Sequence, residues 1–111
     1  MLSKELIAAA SRPLVLSLLA TGESYGYDLI RRVRELSGGR LEWTEGTLYP
    51  VLHRLERENL IISTWRESDV GRRRKYYALT DNGRAALESE RRDWLTVHTL
   101  LDTLWTPKPS I

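Results

Sequence analysis

Three groups of side chains in this sequence have the types and spacing to do chemistry. Arg72-Arg73-Arg74-Lys75 is an unbroken run of cations just past Gly71. Ahead of it, Thr47, Tyr49, Pro50, His53, Arg54 and Arg57 are interleaved with Leu48, Val51, Leu52 and Leu55. Trp94, Val97 and His98 lie close together near the end of the chain. The first group suits phosphate, whose charge arginine and lysine neutralise. The second suits base edges: a guanidinium such as that of Arg54 pairs bidentately with guanine, and Thr47 or Pro50 can touch a thymine methyl. The third suits a flat aromatic molecule, because an indole offers a large apolar face.

Each group also has a plainer use. Charges at a strand end discourage edge-to-edge pairing. A polar helix face can simply be solvated, with Arg54 and Glu58 paired four residues apart, and Tyr49 packed against a wing of two strands over Leu60 to Leu79 or a second helix over Tyr25 to Leu36. Trp94 and Trp105 can be plain interface core, and His98 a half-buried hydrogen-bonded residue. Enzyme chemistry is not called for. The chain shows no Gly-rich phosphate loop, nucleophile elbow or metal motif, has no cysteine, and its two histidines have no ligand motif around them. No cofactor and no metal are expected.

The 111 residues make one domain's worth of chain, enough for a modest core. With 17 Lys+Arg against 15 Asp+Glu the net charge is only +2, so any nucleic-acid surface must come from clustering rather than from the total. No signal peptide and no membrane-length apolar run are legible, and the expected location is the cytoplasm.

These groups need elements to hold them. Leu2 to Thr21 reads as a first helix with Leu6, Ile7, Ala10, Leu14, Val15, Leu18 and Leu19 on a wide apolar face. Pro13 either bends it or starts a new helix. Gly22 closes it, Ser24 is a plausible cap, and Tyr25 to Leu36 forms a second helix with Leu29, Ile30, Val33 and Leu36 facing inward. Gly38-Gly39 stops that helix and Arg40 to Trp43 is a short connection. The third helix carries Leu48, Val51, Leu52 and Leu55 at i, i+3, i+4, i+7. Its cap is Thr44, which leaves Pro50 past the first turn, or Thr47, which puts Pro50 inside it. Asn59 ends it in a left-handed conformation.

Leu60 to Trp65 and Arg72 to Leu79 read as two strands joined by Glu67 to Gly71, an antiparallel wing. Thr80 caps a last helix that runs to Trp105, roughly 37 Å at 1.5 Å per residue. Its second half carries Trp94, Val97, His98, Leu101, Leu104 and Trp105 on one stripe, which must find a partner. The economical partner is a second copy, with Leu6 and Ala10 of the first helix beside it. The fold expected is mainly α with a small two-stranded β wing: a winged helix-turn-helix over 1–79, a C-terminal dimerisation helix over 80–106 and a tail over 107–111.

Tyr25-Gly26-Tyr27-Asp28-Leu29, Glu45-Gly46-Thr47-Leu48-Tyr49-Pro50 with Leu52, Arg54, Leu55 and Glu56, and Gly71-Arg72-Arg73-Arg74-Lys75-Tyr76-Tyr77 with Leu79, Thr80 and Gly83 resemble the PadR family of bacterial transcriptional regulators over residues 14 to 87. The resemblance implies a homodimeric repressor with its third helix in the major groove, its wing along the backbone and its last helix at the dimer interface. The short tail is similar to a branch whose members include regulators that respond to flat aromatic or multidrug compounds, some with a tryptophan on the last helix, at the place of Trp94, that stacks on the ligand. Asn59 stands where the family usually has Gly, and Pro13 interrupts a first helix that is usually continuous.

The DNA contacts expected are Thr47, Tyr49, Pro50, His53 and Arg54 from the helix and Arg72, Arg73, Arg74 and Lys75 from the wing. Tyr25 and Lys4 are added at the backbone, with Tyr27 packed locally. The dimer residues expected are Leu6, Ala10, Trp94, Val97, Leu101, Leu104 and Trp105, and the effector residues Trp94, Val97 and His98. The partners expected are a pseudo-palindromic duplex, a second copy, a small hydrophobic or aromatic effector and no membrane. A second reading, a winged-helix module that binds protein through Tyr49, Trp65 and the basic wing, predicts no steep salt dependence of DNA affinity.

Overall fold

Ser3 starts the first helix by accepting the Leu6 N–H at 3.2 Å, and α1 runs Lys4–Ala20. The computed structural model describes residues 1–109, so the last two residues of the expected tail lie outside the described residues. Pro13 sits inside α1 without dividing it. Ile7, Ser11, Val15, Leu16, Leu18 and Leu19 are its buried face.

Past Gly22 (φ 138°) the chain departs from the expected capping. Ser24–Tyr25 form a two-residue strand, β1, and Tyr25 rather than Ser24 occupies the N-cap of α2 (Gly26–Leu36), with no side-chain cap bond. Ser24 instead donates to the Asp28 carboxylate at 2.6 Å. Burial pushes the Asp28 carboxyl up, but the hydrogen bonds from Ser24 and Arg31 outweigh it and hold the group below the usual carboxylate range. Leu29 and Val33 are buried as the spacing required. Leu36 is not: at 76% exposure it lies at the last position of α2, beyond the elements that cover the rest of that face.

Gly38 and Gly39 both take positive φ and end α2. The connection that follows contributes to the core, since Leu41 and Trp43 are buried. Helical spacing cannot announce this, because an irregular segment has no period. Thr44 is the cap of α3 (Glu45–Arg57), accepting the Thr47 N–H at 3.2 Å, which leaves Pro50 at the sixth helical position. Leu48, Leu52 and Leu55 are fully buried beneath it.

Asn59 adopts φ 60° after α3. A left-handed residue with a Cβ costs about 1 kcal/mol unless it is Asn or Asp, and β-branched residues suffer most. Asn59→Val should therefore lower the unfolding free energy by about 1–2 kcal/mol, while Asn59→Gly should stay within about 0.5 kcal/mol of the parent. Equal urea midpoints for the two variants would contradict this.

β2 (Ile61–Glu67) and β3 (Arg73–Leu79) pair antiparallel from Ile61↔Leu79 to Glu67↔Arg73. β1 adds to the other side of β3, with Ser24↔Tyr77 and Tyr25↔Tyr76, so the sheet has three strands in the order β1-β3-β2 rather than two. A pair of residues is too short to show alternation, and only a partner far along the chain makes it a strand. Thr80 caps α4 (Asp81–Trp105) by accepting the Gly83 N–H at 3.0 Å. From Arg91 onward every described residue of α4 is exposed, and this projecting arm stretches the molecule to 67 Å.

Candidate nucleic-acid interface

The inner stripe of α3 dictates its outer one. With Leu48, Leu52 and Leu55 buried, Pro50, His53, Arg54 and Arg57 fall on the opposite side at i, i+3, i+4, i+7, and all are exposed. Arg57 was absent from the expected contacts, although its spacing from Pro50 points to it. Arg54 does not pair with Glu58. That carboxylate is taken by Arg12 through two bonds of 2.7 and 3.1 Å, so the Arg54 guanidinium makes no ion pair among the described residues. Thr47 is half-buried, its hydroxyl 3.1 Å from that of Thr44 at the helix start.

Tyr49 points away from this stripe toward α2. A Cβ built on Gly26 would fall 2.7 Å from the Tyr49 hydroxyl, so the two helices meet there through a glycine that leaves room for the ring. Of its two uses, packing is the one the geometry displays.

The wing cations divide. Alternation puts Arg73, Lys75 and Tyr77 on one face of β3 and Arg74 and Tyr76 on the other. Lys75 reaches Glu56 of α3 at 3.4 Å, and Glu56 also accepts from Ser63 of β2 at 2.9 Å, so one carboxylate of the third helix braces both wing strands. Arg74 lies 4.5 Å over the Tyr25 ring, which meets Tyr76 edge-on at 5.5 Å. Arg72 and Arg73 remain exposed, Arg73 stacking 5.5 Å over the Trp65 ring. Gly71 (φ 78°) and the Ser68 carbonyl, which accepts the Gly71 N–H at 2.9 Å, close the tip between the strands.

Between β3, Tyr49 and the start of α2 lies a groove of about 530 Å³ whose walls include Tyr25, Tyr27, Trp65 and all four wing cations. Tyr27 is 66% exposed on its rim, against the expectation of local packing. Tyr77 at its floor is buried, its hydroxyl without a partner among the described residues, and burial, reinforced by Glu56 and Tyr49, pushes that phenol up to about 12. It stays a neutral wall. Lys4 is exposed in the first turn of α1 and does not line this groove.

The expected dimer and effector residues sit elsewhere. Leu6 is exposed and Ala10 half-buried on α1, while Trp94, Val97, His98, Leu101, Leu104 and Trp105 are exposed on the arm. Among the described residues no His/Cys/Asp/Glu group could hold a metal ion, and no helix is long and apolar enough to cross a membrane.

A cation-edged helix set against a basic three-stranded sheet, with a long helix behind, defines a winged helix-turn-helix. Residues 15–89 match the transcriptional regulator PadR-like family. The chain belongs to that family, and is therefore a DNA-binding transcriptional regulator rather than an enzyme. It is 43% identical to transcriptional regulator Rv3488 of Mycobacterium tuberculosis (strain ATCC 25618 / H37Rv) over 89 residues, covering 80% of this chain and 79% of the relative. A transcriptional regulator from Clostridium thermocellum superposes with a TM-score of 0.86 at 27% identity, over 96% of this chain and all of that one. A PadR family transcription regulator from Clostridium difficile gives 0.75 at 35% identity, over 87% and 99% of the two chains.

Proposed function

We propose that the protein is a homodimeric repressor. Its two α3 helices read a pseudo-palindromic operator, and a flat hydrophobic effector held near Trp94, Val97 and His98 releases it. In this reading residues 1–79 address DNA and 80–106 dimerise through α4, with Leu6 and Ala10 alongside. The observation that carries it is the outer stripe of α3, where Arg54, His53 and Pro50 stand exposed while Glu58, the acid that would have occupied Arg54, is held by Arg12. Arg54 is thereby left able to present a two-pronged donor to a guanine edge. Arg72 and Arg73 are set for phosphate, with Lys75 and Arg74 bracing the wing that carries them.

Two copies are required because one module makes few base contacts, each good bidentate pair giving only about 1–3 kcal/mol of discrimination. A symmetric pair of recognition helices about 34 Å apart doubles the contacts and matches successive turns of one DNA face. Bound this way the dimer occludes its site, which is sufficient for repression.

Selection from a random duplex pool should return symmetric half-sites. Affinity for them should fall about 10³-fold between 50 and 200 mM salt if some six phosphates are neutralised. Asymmetric or sequence-blind recovery, or a flat salt response, would favour the protein-binding alternative. Arg54→Ala should cost about 1–3 kcal/mol on the selected operator and relax preference at one position per half-site. Arg73→Ala should instead weaken all duplexes alike and lower the salt slope by about 1 per protomer. For the effector, aromatic compounds should quench tryptophan fluorescence in the parent and bind markedly less well to Trp94→Ala. Unchanged binding by that variant would remove the stacking role.

A further inference from the structure

Apolar packing beneath α3 is non-directional, so Leu48, Leu52 and Leu55 hold the helix down without fixing its heading. Directional contacts are made at its two ends: Glu56 in its last turn is tied to the wing by Lys75 and Ser63, and two consecutive residues of α1 reach one end each. One residue before the Thr44 cap, the buried Trp43 indole N–H donates to Ser11 Oγ at 3.0 Å, and Ser11 donates to the Ile7 carbonyl at 2.6 Å. At the other end Glu58, the C-cap of α3, takes the bidentate pair from Arg12. The same guanidinium turns its Nε to Glu90 of α4 at 3.2 Å. Glu90 is the last residue of α4 that is not exposed, and Trp94 stands one turn further along the arm.

We propose that Arg12 is a positioning residue that locks the recognition helix to the α4 arm, with Ser11 and Trp43 holding the other end of α3. This lock sets the half-site spacing the dimer accepts. The proposal rests on the dimeric operator-binding reading above. This three-residue cluster is suited to setting geometry rather than stability. Its side chains are 33%, 42% and 23% exposed for Arg12, Glu58 and Glu90, and ion pairs so open to solvent contribute little to folding. A forked guanidinium shared by two carboxylates nevertheless fixes orientation in a way a single ammonium does not. The hydrogen bonds that Arg12 donates to Glu58, and the charges of the nearby carboxylates, raise its pKa against the opposing effect of burial.

The test uses the selected operator and versions with one base pair inserted at or removed from its dyad, which shift and rotate one half-site relative to the other. The parent protein should lose about 30-fold in affinity or more for the altered spacings, because its helices are pre-set. Arg12→Gln should bind the original operator within about fivefold of the parent but lose only about threefold on altering the spacing. Its dimer dissociation constant and melting temperature should stay near the parent's. Arg12→Lys keeps the charge and loses the fork, so it should also tolerate altered spacing; should Arg12→Gln fail to fold, this variant decides. A spacing penalty undiminished in the variants overturns the role of Arg12 and leaves the operator reading intact. A parent protein that selects no symmetric operator overturns that reading, and the lock with it.

Discussion

Gly83→Ala is expected to be the most damaging single methyl group in this protein. A Cβ at Gly83 would fall 2.0 Å from the Leu60 carbonyl oxygen and 3.0 Å from both its carbonyl carbon and the Leu79 side chain. The nearest obstacle is backbone, which cannot rotate away. That backbone is also held in place, since the Leu60 carbonyl accepts the Thr80 N–H at 3.1 Å and Thr80 Oγ1 donates to the Asn59 carbonyl at 2.7 Å. Relief therefore requires lifting the root of α4 off the α3–β2 junction. Overpacking costs about 1–3 kcal/mol where side chains can adjust, and a fixed carbonyl should bring the loss to about 3 kcal/mol or more. For a chain of this size that lowers Tm by roughly 12 °C.

Gly46→Ala is the matched comparison. Its Cβ meets only Thr44 Oγ1 at 3.7 Å, so helix propensity should raise stability by about 0.5–1 kcal/mol. Thermal unfolding of the two variants checks both statements, and a Gly83→Ala melting curve superimposable on the parent's would refute the first.

Leu101→Glu is expected to separate folding from assembly. Leu101 is 36% exposed on the arm and belongs to the stripe assigned to the proposed dimer interface, so a single chain folds without its burial. In a two-fold interface the substitution places two carboxylates in apolar surroundings at once. Burying an unpaired polar or charged group costs at least about 2 kcal/mol, so the dimer should weaken by 10²-fold or more while the melting of the isolated chain hardly changes. Operator affinity should fall with it at protein concentrations below the new dimer constant. Sedimentation and a salt-matched binding titration read the two effects separately. A variant that remains fully dimeric would move the interface elsewhere, and a monomeric parent would remove it.

Much of this architecture is legible in one dimension because its causes are local. Thr44 and Thr80 cap helices with their own hydroxyls, Gly38, Gly39 and Asn59 stop helices with backbone angles that few residues accept, and the leucines of α3 repeat at the period of a helix. Those causes act within four residues of their effects, so the order of α1 to α4 and of the two wing strands follows from the sequence, as does the apolar stripe of α4. The tighter features are pairings between residues far apart. Ser24–Tyr25 become a strand only because Tyr76 and Tyr77 lie alongside. Leu41 and Trp43 enter the core from a segment without periodicity, and Leu36 leaves it from a segment that has one.

The candidate interface divides along the same line. Residue types and spacing were enough to bring the outer face of α3 and the basic run of the wing forward as the proposed DNA-binding surface. Which cations remain available was decided by the neighbours that folding brings within a few ångströms. Glu56 engages Lys75, the Tyr25 ring carries Arg74, and Arg12 removes Glu58 from competition for Arg54. A charge belongs to its residue and can be counted along a chain. Its partner belongs to the fold, because electrostatic and hydrogen-bond energies depend on distances that only the tertiary structure sets.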